Sequence, residues 1–303
     1  MKVLITGATG LVGSHLCARL KHAGNEVVAL SRDGESASAK LGVAAFSWDY
    51  RTEPVPDVAP DGVDSIVHLM GENVGAGRWT AARKKAIADS RIESAKKLIA
   101  ARPASLASFV SASAIGYYPG SGAEVYDESY RMPQRVGFMQ ALCRDWEQAA
   151  AAIEEHGVRR VSVRIGLALG DGGLLHKLLP LFRAGLGGPV GDGKQWLPWI
   201  HIDDLTAILE QAIIDDGMSG AVNGVGPDPV TYTVFARALG VAVKRPALLR
   251  VPAMALKLML GEAAELALGS YRIVPRRLTE EFGFTFAYTD IESALAAAIA
   301  LTR

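Results

Sequence analysis

Residues 1–13 read MKVLITGATGLVG, in which an apolar run is followed at once by three regularly spaced glycines, Gly7, Gly10 and Gly13. The apolar run at residues 3–6 predicts a buried β-strand, and the GxxGxxG spacing directly after it is typical of a turn that opens a helix. Gly7 allows the tight turn, Gly10 lets the backbone approach a phosphate, and Gly13 lets the helix pack closely on the strand. N–H groups at the helix N-terminus then face an anion, so the stretch predicts a dinucleotide-binding unit.

Beyond this stretch, short β-branched runs alternate with longer segments of helical period. Strands are predicted at residues 3–6, 26–30, 44–48, 65–69, 108–112 and 160–165, and helices at 11–23, 80–101 and 136–155. A strand near 199–202, a helix at 204–214 and a strand near 221–225 are expected to return to the same sheet. Because such alternation is typical of parallel strands joined by crossover helices, we predict an α/β fold with a Rossmann-type, doubly wound parallel sheet.

The pattern of residues predicts three parts of the chain. Residues 1–169, with 198–225 returning to them, are expected to form the nucleotide-binding domain. Residues 170–197 contain clustered glycines around a helical stretch at 174–183, and we predict a lid-like substrate segment that closes when ligand binds. Residues 226–303 are predicted to form a smaller, mainly helical subdomain on the substrate side, because prolines and glycines punctuate a helical pattern there.

Composition excludes several classes of protein. Half of the 303 residues are hydrophobic and 21% are charged, a balance that excludes a disordered chain. Lys plus Arg equals Asp plus Glu at 32 each, so no nucleic-acid partner is expected. No uncharged apolar stretch reaches the ~18 residues of a membrane span, and we expect no membrane partner. Neither Cys17 nor Cys143 has the set of close Cys or His neighbours that a metal site would show, which predicts no metal site and a cytoplasmic protein.

The end of the second predicted strand bears on the choice of cofactor. An acidic residue at this position would accept hydrogen bonds from the ribose 2′-OH of NAD. This chain has Ser31 and Arg32 there, and Arg32 offers a planar, bidentate donor to a 2′-phosphate. NADP is therefore predicted in preference to NAD. The alternative is a solvated Arg32, with Asp33 turning back to bind the ribose. In the glycine turn, the residues predicted to contact the cofactor are Gly7, Thr9, Gly10, Leu11 and Val12.

Several segments resemble a known family. TGATGLVG at 6–13 and SASAIGYY at 111–118 resemble an extended or atypical short-chain dehydrogenase/reductase. HLMGENVGAGRW at 68–79 and RVPAMALKLMLGE at 250–262 are similar to the NAD(P)-dependent epimerase/dehydratase-like family of unknown substrate, which carries a short uncharacterised C-terminal domain of the DUF1731 type. The resemblance covers nearly the whole chain and implies a Rossmann-type NADP-binding domain with a substrate-side domain.

The resemblance also implies roles for particular residues. The loop that follows the fourth strand is expected to lie along the cofactor ribose and nicotinamide; its residues are Leu69, Met70, Gly71 and Glu72. Ser90 matches a helix position that is polar in related enzymes. The alternatives are a simple turn at Gly71 and a solvated serine at position 90.

Enzymes of the wider superfamily use a serine, a tyrosine and a lysine four residues after that tyrosine to handle the substrate proton. By the resemblance, Ser113 matches the serine, whereas the tyrosine and lysine positions fall on Phe138 and Leu142. The usual proton relay is therefore missing. We predict that Ser113 orients a substrate oxygen and that Tyr117 supplies the proton, with packing as the alternative role of Tyr117. Other nearby candidates for the acid are Tyr118, Glu128 and Cys143.

Polar and aromatic groups cluster beside a glycine-rich stretch in the second half of the chain, as a substrate pocket requires. They are Lys194, Gln195, Trp196, Trp199 and His201. Packing in the core is the alternative for the aromatic residues. His201 could instead stabilise the turn before the helix expected at 204, with Asp203 as its N-cap. Arg164 either reaches the substrate or pairs with a carboxylate.

These observations predict an NADP(H)-binding epimerase or oxidoreductase that acts on a small polar substrate, for which a sugar-like molecule is one option. The missing tyrosine and lysine support an alternative, a non-catalytic NADP(H)-binding sensor or regulatory protein. The sequence leaves the oligomeric state open.

Overall fold

The computed structural model describes residues 1–120 and 122–302. Its strands in chain order are β1 (Lys2–Thr6), β2 (Glu26–Ser31), β3 (Ala44–Ser47), β4 (Ser65–His68), β5 (Ser108–Ala114), β6 (Val125–Tyr126), β7 (Arg159–Ile165), β8 (Leu167–Leu169), β9 (Trp196–Leu197), β10 (Trp199–His201), β11 (Gly220–Gly224), β12 (Val230–Thr231) and β13 (Arg272–Ile273). Its α-helices are α1 (Leu11–His22), α2 (Gly34–Leu41), α3 (Ala81–Ala100), α4 (Phe138–Ala151), α5 (Gly173–Arg183), α6 (Ile202–Ile214), α7 (Tyr232–Ala242), α8 (Ala253–Leu260), α9 (Glu265–Leu268), α10 (Arg276–Glu280) and α11 (Ile291–Ala300).

Seven strands form one parallel sheet in the order β11-β7-β5-β4-β1-β2-β3. In its middle, Thr6 at the end of β1 pairs with Leu30 of β2 on one side and with His68 of β4 on the other. The chain order runs in opposite directions from β1, which makes the gap between β1 and β4 the point where ligands bind in sheets of this kind. The predicted α/β fold with a Rossmann-type, doubly wound sheet is confirmed.

Both faces of the sheet are covered by helices, as a parallel sheet requires. Successive residues of a strand point to opposite faces, so Val3 and Ile5 pack with α1 and α6 on one face, whereas Leu4 packs with α3 and the end of α4 on the other. A second core lies beyond the sheet, where α5, α7 and α11 pack together around buried side chains that include Trp199. The C-terminal region is mainly helical.

Several helices and strands begin or end at residues other than those predicted. The helix expected at 136–155 begins at Phe138, because Gly137 is its extended N-cap, and it ends in a 3₁₀ turn at Ala152–His156. The strand expected at 108–112 continues to Ala114. Helix α2 was not predicted; it follows the N-cap Asp33 and buries only Gly34 and Ala37, so its apolar signal is weak.

Among the described residues, none of the helices combines the length and apolar character needed to cross a bilayer. Within the same part of the chain, no three His, Cys, Asp or Glu side chains are grouped as metal ligands would be.

Candidate functional site

A cavity of about 390 Å³ lies where the carboxyl ends of β1, β2, β3 and β4 meet. Ten of the residues predicted to contact a cofactor line it: Gly7, Thr9, Gly10, Ser31, Arg32, Leu69, Met70, Gly71, Glu72 and Ser90. The other two, Leu11 and Val12, begin α1 and are partly buried with their side chains outside the cavity lining.

The glycine turn has the shape of an anion cradle. Gly7 has a φ of +70°, and a Cβ there would lie 2.8 Å from the backbone carbon of Leu69. A Cβ at Gly13 would lie 2.7 Å from the Cα of Ala8 and closer still to the Gly7 carbonyl. No side chain caps the N-terminus of α1, and its first turn has no acidic residue. The cradle thus fits a phosphate at the positive end of the helix.

The two residues at the end of β2 differ in what they offer the cavity. Arg32 is exposed and lines the cavity beside Ser31. Asp33 is the N-cap of α2, and its Oδ1 accepts a hydrogen bond of 3.0 Å from the Ser36 N–H. This engagement of the Asp33 carboxylate favours Arg32 as the ribose-side residue.

Other cavity residues were missed by the sequence reasoning. Residues 48–51 follow β3, and all four line the cavity. Arg51 donates a hydrogen bond of 3.3 Å to Glu72, and Lys40 donates one of 3.0 Å to the Thr9 carbonyl. The signal for residues 48–51 is available in the sequence, because the carboxyl end of a parallel β3 must meet the edge where β1 and β2 end.

Helix α3 holds the loop after β4, residues 69–73, in place through hydrogen bonds to Glu72. Ser90 accepts a hydrogen bond of 2.9 Å from the Glu72 N–H and is buried, so its interpretation as a solvated serine is wrong. A Cβ at Gly71 would lie 2.7 Å from the guanidinium carbon of Arg91. A side chain at position 71 would therefore displace the Arg91 guanidinium. The alternative of a simple turn at Gly71 is wrong, because the turn in this loop begins at Val74.

Arg91 is a buried cation that the sequence reasoning did not single out. Its Nη1 donates hydrogen bonds to the carbonyls of Glu72 at 3.1 Å and Ile87 at 2.9 Å, and its guanidinium lies 5.0 Å from the ring centroid of Trp146. Burial lowers the pKa of Arg91 to about 10. It remains charged at neutral pH and places a positive charge directly behind the loop.

Ser113 lies at the end of β5 and is joined to a buried ion pair. Its hydroxyl donates a hydrogen bond of 2.7 Å to Glu147 Oε1. The Glu147 carboxylate also accepts hydrogen bonds from Arg164 at 2.8 and 2.9 Å. Burial opposes the charge of Arg164, but the hydrogen bonds and the charge of Glu147 outweigh it and raise the Arg164 pKa. Arg164 therefore pairs with a carboxylate.

The ring of Tyr117 packs against Arg164 of the same ion pair. The Arg164 guanidinium carbon lies 3.4 Å from the Tyr117 ring centroid. The structure thus brings Ser113 and Tyr117 to a single buried Glu147–Arg164 pair. Their catalytic roles stay predictions.

Two of the three other candidates for the acid have structural partners, and the third is a buried thiol. The Tyr118 hydroxyl donates to Asn223 at 2.7 Å and accepts from Arg164 at 2.9 Å, and burial raises its pKa. Glu128 accepts hydrogen bonds from the N–H groups of Asn223 and Arg277. Burial raises the pKa of Cys143 to about 12. These contacts engage Tyr118 and Glu128 in the fold and keep Cys143 a neutral thiol.

An apolar cluster contains the two residues that the resemblance matches to the tyrosine and lysine of the wider superfamily. Phe138 packs edge-on against Trp79 with ring centroids 5.1 Å apart. Leu142 and Met139 are buried in the same cluster, together with Ala263 from the C-terminal region. This wall of the cleft contains hydrocarbon at both positions, which agrees with the loss of the usual relay.

The prediction of a substrate pocket at residues 194–201 is wrong for Trp199 and His201, whose rings are buried. Trp199 belongs to the second core, and its Nε1 donates a hydrogen bond of 2.9 Å to the Asp228 carbonyl. His201 is itself the N-cap of α6, because its Nδ1 accepts from the Asp203 N–H at 3.2 Å, so Asp203 is not the cap. The amino-acid composition of this stretch does not distinguish residues of a buried core from residues of a substrate pocket.

The remaining residues of that stretch also lie away from the 390 Å³ cavity. Gln195 is buried and donates to the Val190 carbonyl at 3.0 Å. The ring of Trp196 lies 4.2 Å from the Arg272 guanidinium carbon, and Lys194 is exposed.

Residues 170–173 approach the start of α1. A Cβ at Gly170 or at Gly173 would lie 3.2 Å from a terminal carbon of Leu11, and one at Gly172 would lie 3.4 Å from it. Helix α5, which follows, is anchored in the second core by Leu175, Leu179 and Phe182. The lid predicted for residues 170–197 stays a prediction, and this anchoring would confine its motion to the loops around α5.

Comparison with known proteins gives two family matches. The sequence model of the NAD dependent epimerase/dehydratase family matches residues 3–222, and that of a domain of unknown function, DUF1731, matches residues 251–298. An epimerase family protein of Mycobacterium bovis is 37% identical over 297 residues, which cover 97% of this chain and 96% of the relative. The SDR39U1 epimerase family protein of Bos taurus is 38% identical over 99% of this chain and 100% of its own length.

Two solved structures support this relationship. Human epimerase family protein SDR39U1 (isoform 2), crystallised with NADPH, has a TM-score of 0.87 and 32% identity, covering 99% of both chains. A nucleoside-diphosphate sugar epimerase from Corynebacterium glutamicum has a TM-score of 0.78 and 35% identity, covering 99% of this chain and 58% of its own. This chain belongs to the NAD dependent epimerase/dehydratase family, with a DUF1731 domain at its C-terminal end.

Proposed function

We propose that this protein binds NADP(H) in the 390 Å³ cavity and transfers a hydride to or from a small polar substrate. The observation that carries the proposal is Arg32, which lines the ribose end of the cavity beside Ser31 while Asp33 caps α2. The NADPH of the human relative's crystal structure supports the choice of cofactor. The similarity to the nucleoside-diphosphate sugar epimerase of Corynebacterium glutamicum supports a sugar-like substrate.

Each part of the cofactor has residues suited to it. The pyrophosphate would lie at Gly7, Gly10 and the N-terminus of α1, and the 2′-phosphate at Arg32. The loop at residues 69–73 would lie along the ribose and nicotinamide, held by Ser90 and by the buried charge of Arg91. When bound, NADP(H) supplies or accepts the hydride.

The chain's own residues must then handle the substrate proton without the usual relay. The Ser113 hydroxyl hydrogen is engaged by Glu147, so its oxygen is free to accept a hydrogen bond from a substrate hydroxyl and orient it. Tyr117 would exchange the proton. Arg164, whose guanidinium carbon lies 3.4 Å from the centre of the Tyr117 ring, would hold that ring in position for the transfer.

Binding and turnover can be tested separately. Any nucleotide that co-purifies is identified by mass spectrometry, and NADPH and NADH are then compared by titration calorimetry. We expect tighter binding of NADPH; equal affinities would overturn the proposed cofactor preference. Metabolites that raise the melting temperature in the presence of NADPH are next assayed for turnover.

Once a substrate is found, Tyr117→Phe should lower kcat by about 10²- to 10⁴-fold with little change in KM, because the lost proton transfer matters mainly in the transition state. Tyr130→Phe is the matched control, since Tyr130 lies in the same aromatic cluster, 6.2 Å from Tyr117. Full activity of Tyr117→Phe would remove Tyr117 from the mechanism. Normal NADPH binding without turnover of any substrate would favour the sensor function over the enzyme.

A further inference from the structure

One stretch of the C-terminal region contains basic residues and no acidic ones, although Glu262 and Glu265 just beyond it line a cavity with Lys257. Between residues 229 and 261 the sequence has five cations and no Asp or Glu. The cations are Arg237, Lys244, Arg245, Arg250 and Lys257, and all five are exposed. Among the residues that the structure describes, none of these five is in an ion pair. Their charges therefore face solvent within a chain whose overall net charge is zero.

The same stretch exposes large apolar side chains. Val241, Leu248, Met254, Leu258 and Met259 are each between 67% and 80% exposed. Helix α8 has no buried residue at all, and Met254 and Leu258, four residues apart, share one of its faces. A helix this apolar normally buries a face against the protein core. We refer to these five apolar residues and the five cations as the basic apolar surface.

The surface includes a cavity of about 670 Å³ at the end of α7. Four of the cations line it, Arg237, Lys244, Arg245 and Arg250, together with the apolar Val241 and Leu248. Arg245 is held in place because its Nε donates a hydrogen bond of 3.2 Å to the Arg183 carbonyl. Four guanidinium or ammonium groups around one cavity suit an anion such as a phosphate.

Helix α8 is held in place although its own side chains are not buried. Arg78, from the loop before α3, donates hydrogen bonds to the carbonyls of Leu258 and, at 3.1 Å, Met259. Lys84 of α3 pairs with Glu262 just after the helix. The helix thus presents Met254 and Leu258 outward from a fixed base.

The combination of charge and apolar exposure discriminates between partners. A second copy of this chain would bring the same cations face to face across a two-fold interface, where like charges repel. Nucleic acid would neutralise the cations but leave the apolar side chains in water. An anionic phospholipid surface meets both requirements, because basic residues bind its headgroups while apolar side chains enter the boundary with the acyl chains.

We propose that the basic apolar surface docks on an anionic phospholipid bilayer, with α8 in the plane of the interface and the cavity at the end of α7 occupied by a headgroup phosphate. The expectation of no membrane partner rested on the length of apolar stretches, which is a requirement for spanning helices only. A helix that lies in the interface needs an apolar face and basic neighbours instead.

The proposal is tested by co-sedimentation of the full chain with vesicles of phosphatidylcholine alone or of phosphatidylcholine mixed with phosphatidylglycerol. We expect binding to the mixed vesicles that falls steeply with added salt, and little binding to phosphatidylcholine alone. Leu258→Glu and the double variant Lys244→Gln/Arg245→Gln should each weaken binding at least tenfold. Ile214→Glu is the control, because Ile214 is 59% exposed at the end of α6, outside the surface.

Three results would overturn the proposal. The first is equal binding of the wild type to both kinds of vesicle. The second is an unchanged affinity of Leu258→Glu together with full competition by soluble glycerol phosphate, which would indicate a site for free phosphate esters. The third is a dimer in analytical ultracentrifugation that Leu258→Glu dissociates, which would assign the surface to a second copy. Circular dichroism and NADPH titration of each variant verify that it is folded.

Discussion

The hydroxyl of Ser113 donates a hydrogen bond of 2.7 Å to Glu147, whose carboxylate is also bound by two nitrogens of Arg164. The side chains of this pair are nearly excluded from solvent, at 12% exposure for Glu147 and 5% for Arg164. The ion pair therefore connects the end of β5, the middle of α4 and the end of β7 beneath the candidate active site.

We predict that Glu147→Gln lowers the free energy of unfolding by about 3–5 kcal/mol, because it leaves the Arg164 charge buried without a counter-charge. Urea denaturation measures the change. The control is Asp89→Asn, which breaks the exposed pair with Lys85 and should change stability by less than ~0.5 kcal/mol. Equal effects of the two substitutions would show that the Glu147–Arg164 pair does not contribute as proposed.

Gly13→Ala is expected to destabilise the protein by roughly 1–3 kcal/mol and to weaken NADPH binding, because the added Cβ would collide with the backbone of residues 7 and 8. Thermal unfolding and titration calorimetry measure the two effects. Gly137→Ala is the control, since a Cβ at Gly137 would meet no atom within 4 Å. Wild-type NADPH affinity in Gly13→Ala would mean that the glycine turn is not the phosphate site.

Arg32→Ala should reduce the affinity for NADPH by about 1–3 kcal/mol while leaving the affinity for NADH unchanged, because only NADPH carries the 2′-phosphate. Titration of both cofactors with the variant measures the difference. The control is Arg237→Ala, which removes an exposed arginine of α7 that does not line the 390 Å³ cavity and should leave the binding of both cofactors normal. A loss for both cofactors alike would assign Arg32 a general role in the shape of the cavity.

His68 should make stability depend on pH. Its Nδ1 lies 2.8 Å from Thr6 Oγ1 and its Nε2 lies 3.2 Å from the Arg91 carbonyl, contacts that a neutral ring with its proton on Nε2 satisfies. Burial lowers its pKa to about 4. An unfolded histidine has a pKa of about 6.5, so between these values the unfolded state binds the proton more strongly than the folded state.

The contribution of His68 to the free energy of unfolding is therefore fully present above about pH 6.5. It is lost as the pH falls to about 4, and the total loss is about 3 kcal/mol. Urea denaturation across this range should show a steeper fall for the wild type than for His68→Gln. His22→Gln, at an exposed histidine, should behave like the wild type. Parallel curves for the wild type and His68→Gln would contradict the prediction.

The parts of the fold that depend on local pattern were predictable from sequence. The glycine turn, the strands of the sheet and Arg32 at the end of β2 depend on spacing within a few residues. Arg91 was not predictable, because its importance comes from a close approach to Gly71, twenty residues away in the chain. The sequence leaves Trp199 open between a pocket and the core, because a tryptophan beside glycines occurs in both, and only the fold shows that it is buried.

The glycines at positions 170, 172 and 173 allow close packing against Leu11. Clustered glycine in a sequence is usually taken as a source of looseness. Here each of these three residues lies against the same leucine, whose backbone begins α1, the helix proposed to bind the phosphate. They form the surface on which Leu11 packs. A Cβ added at position 170 or 173 would press on Leu11, whereas one at position 172 would make ordinary contact with it.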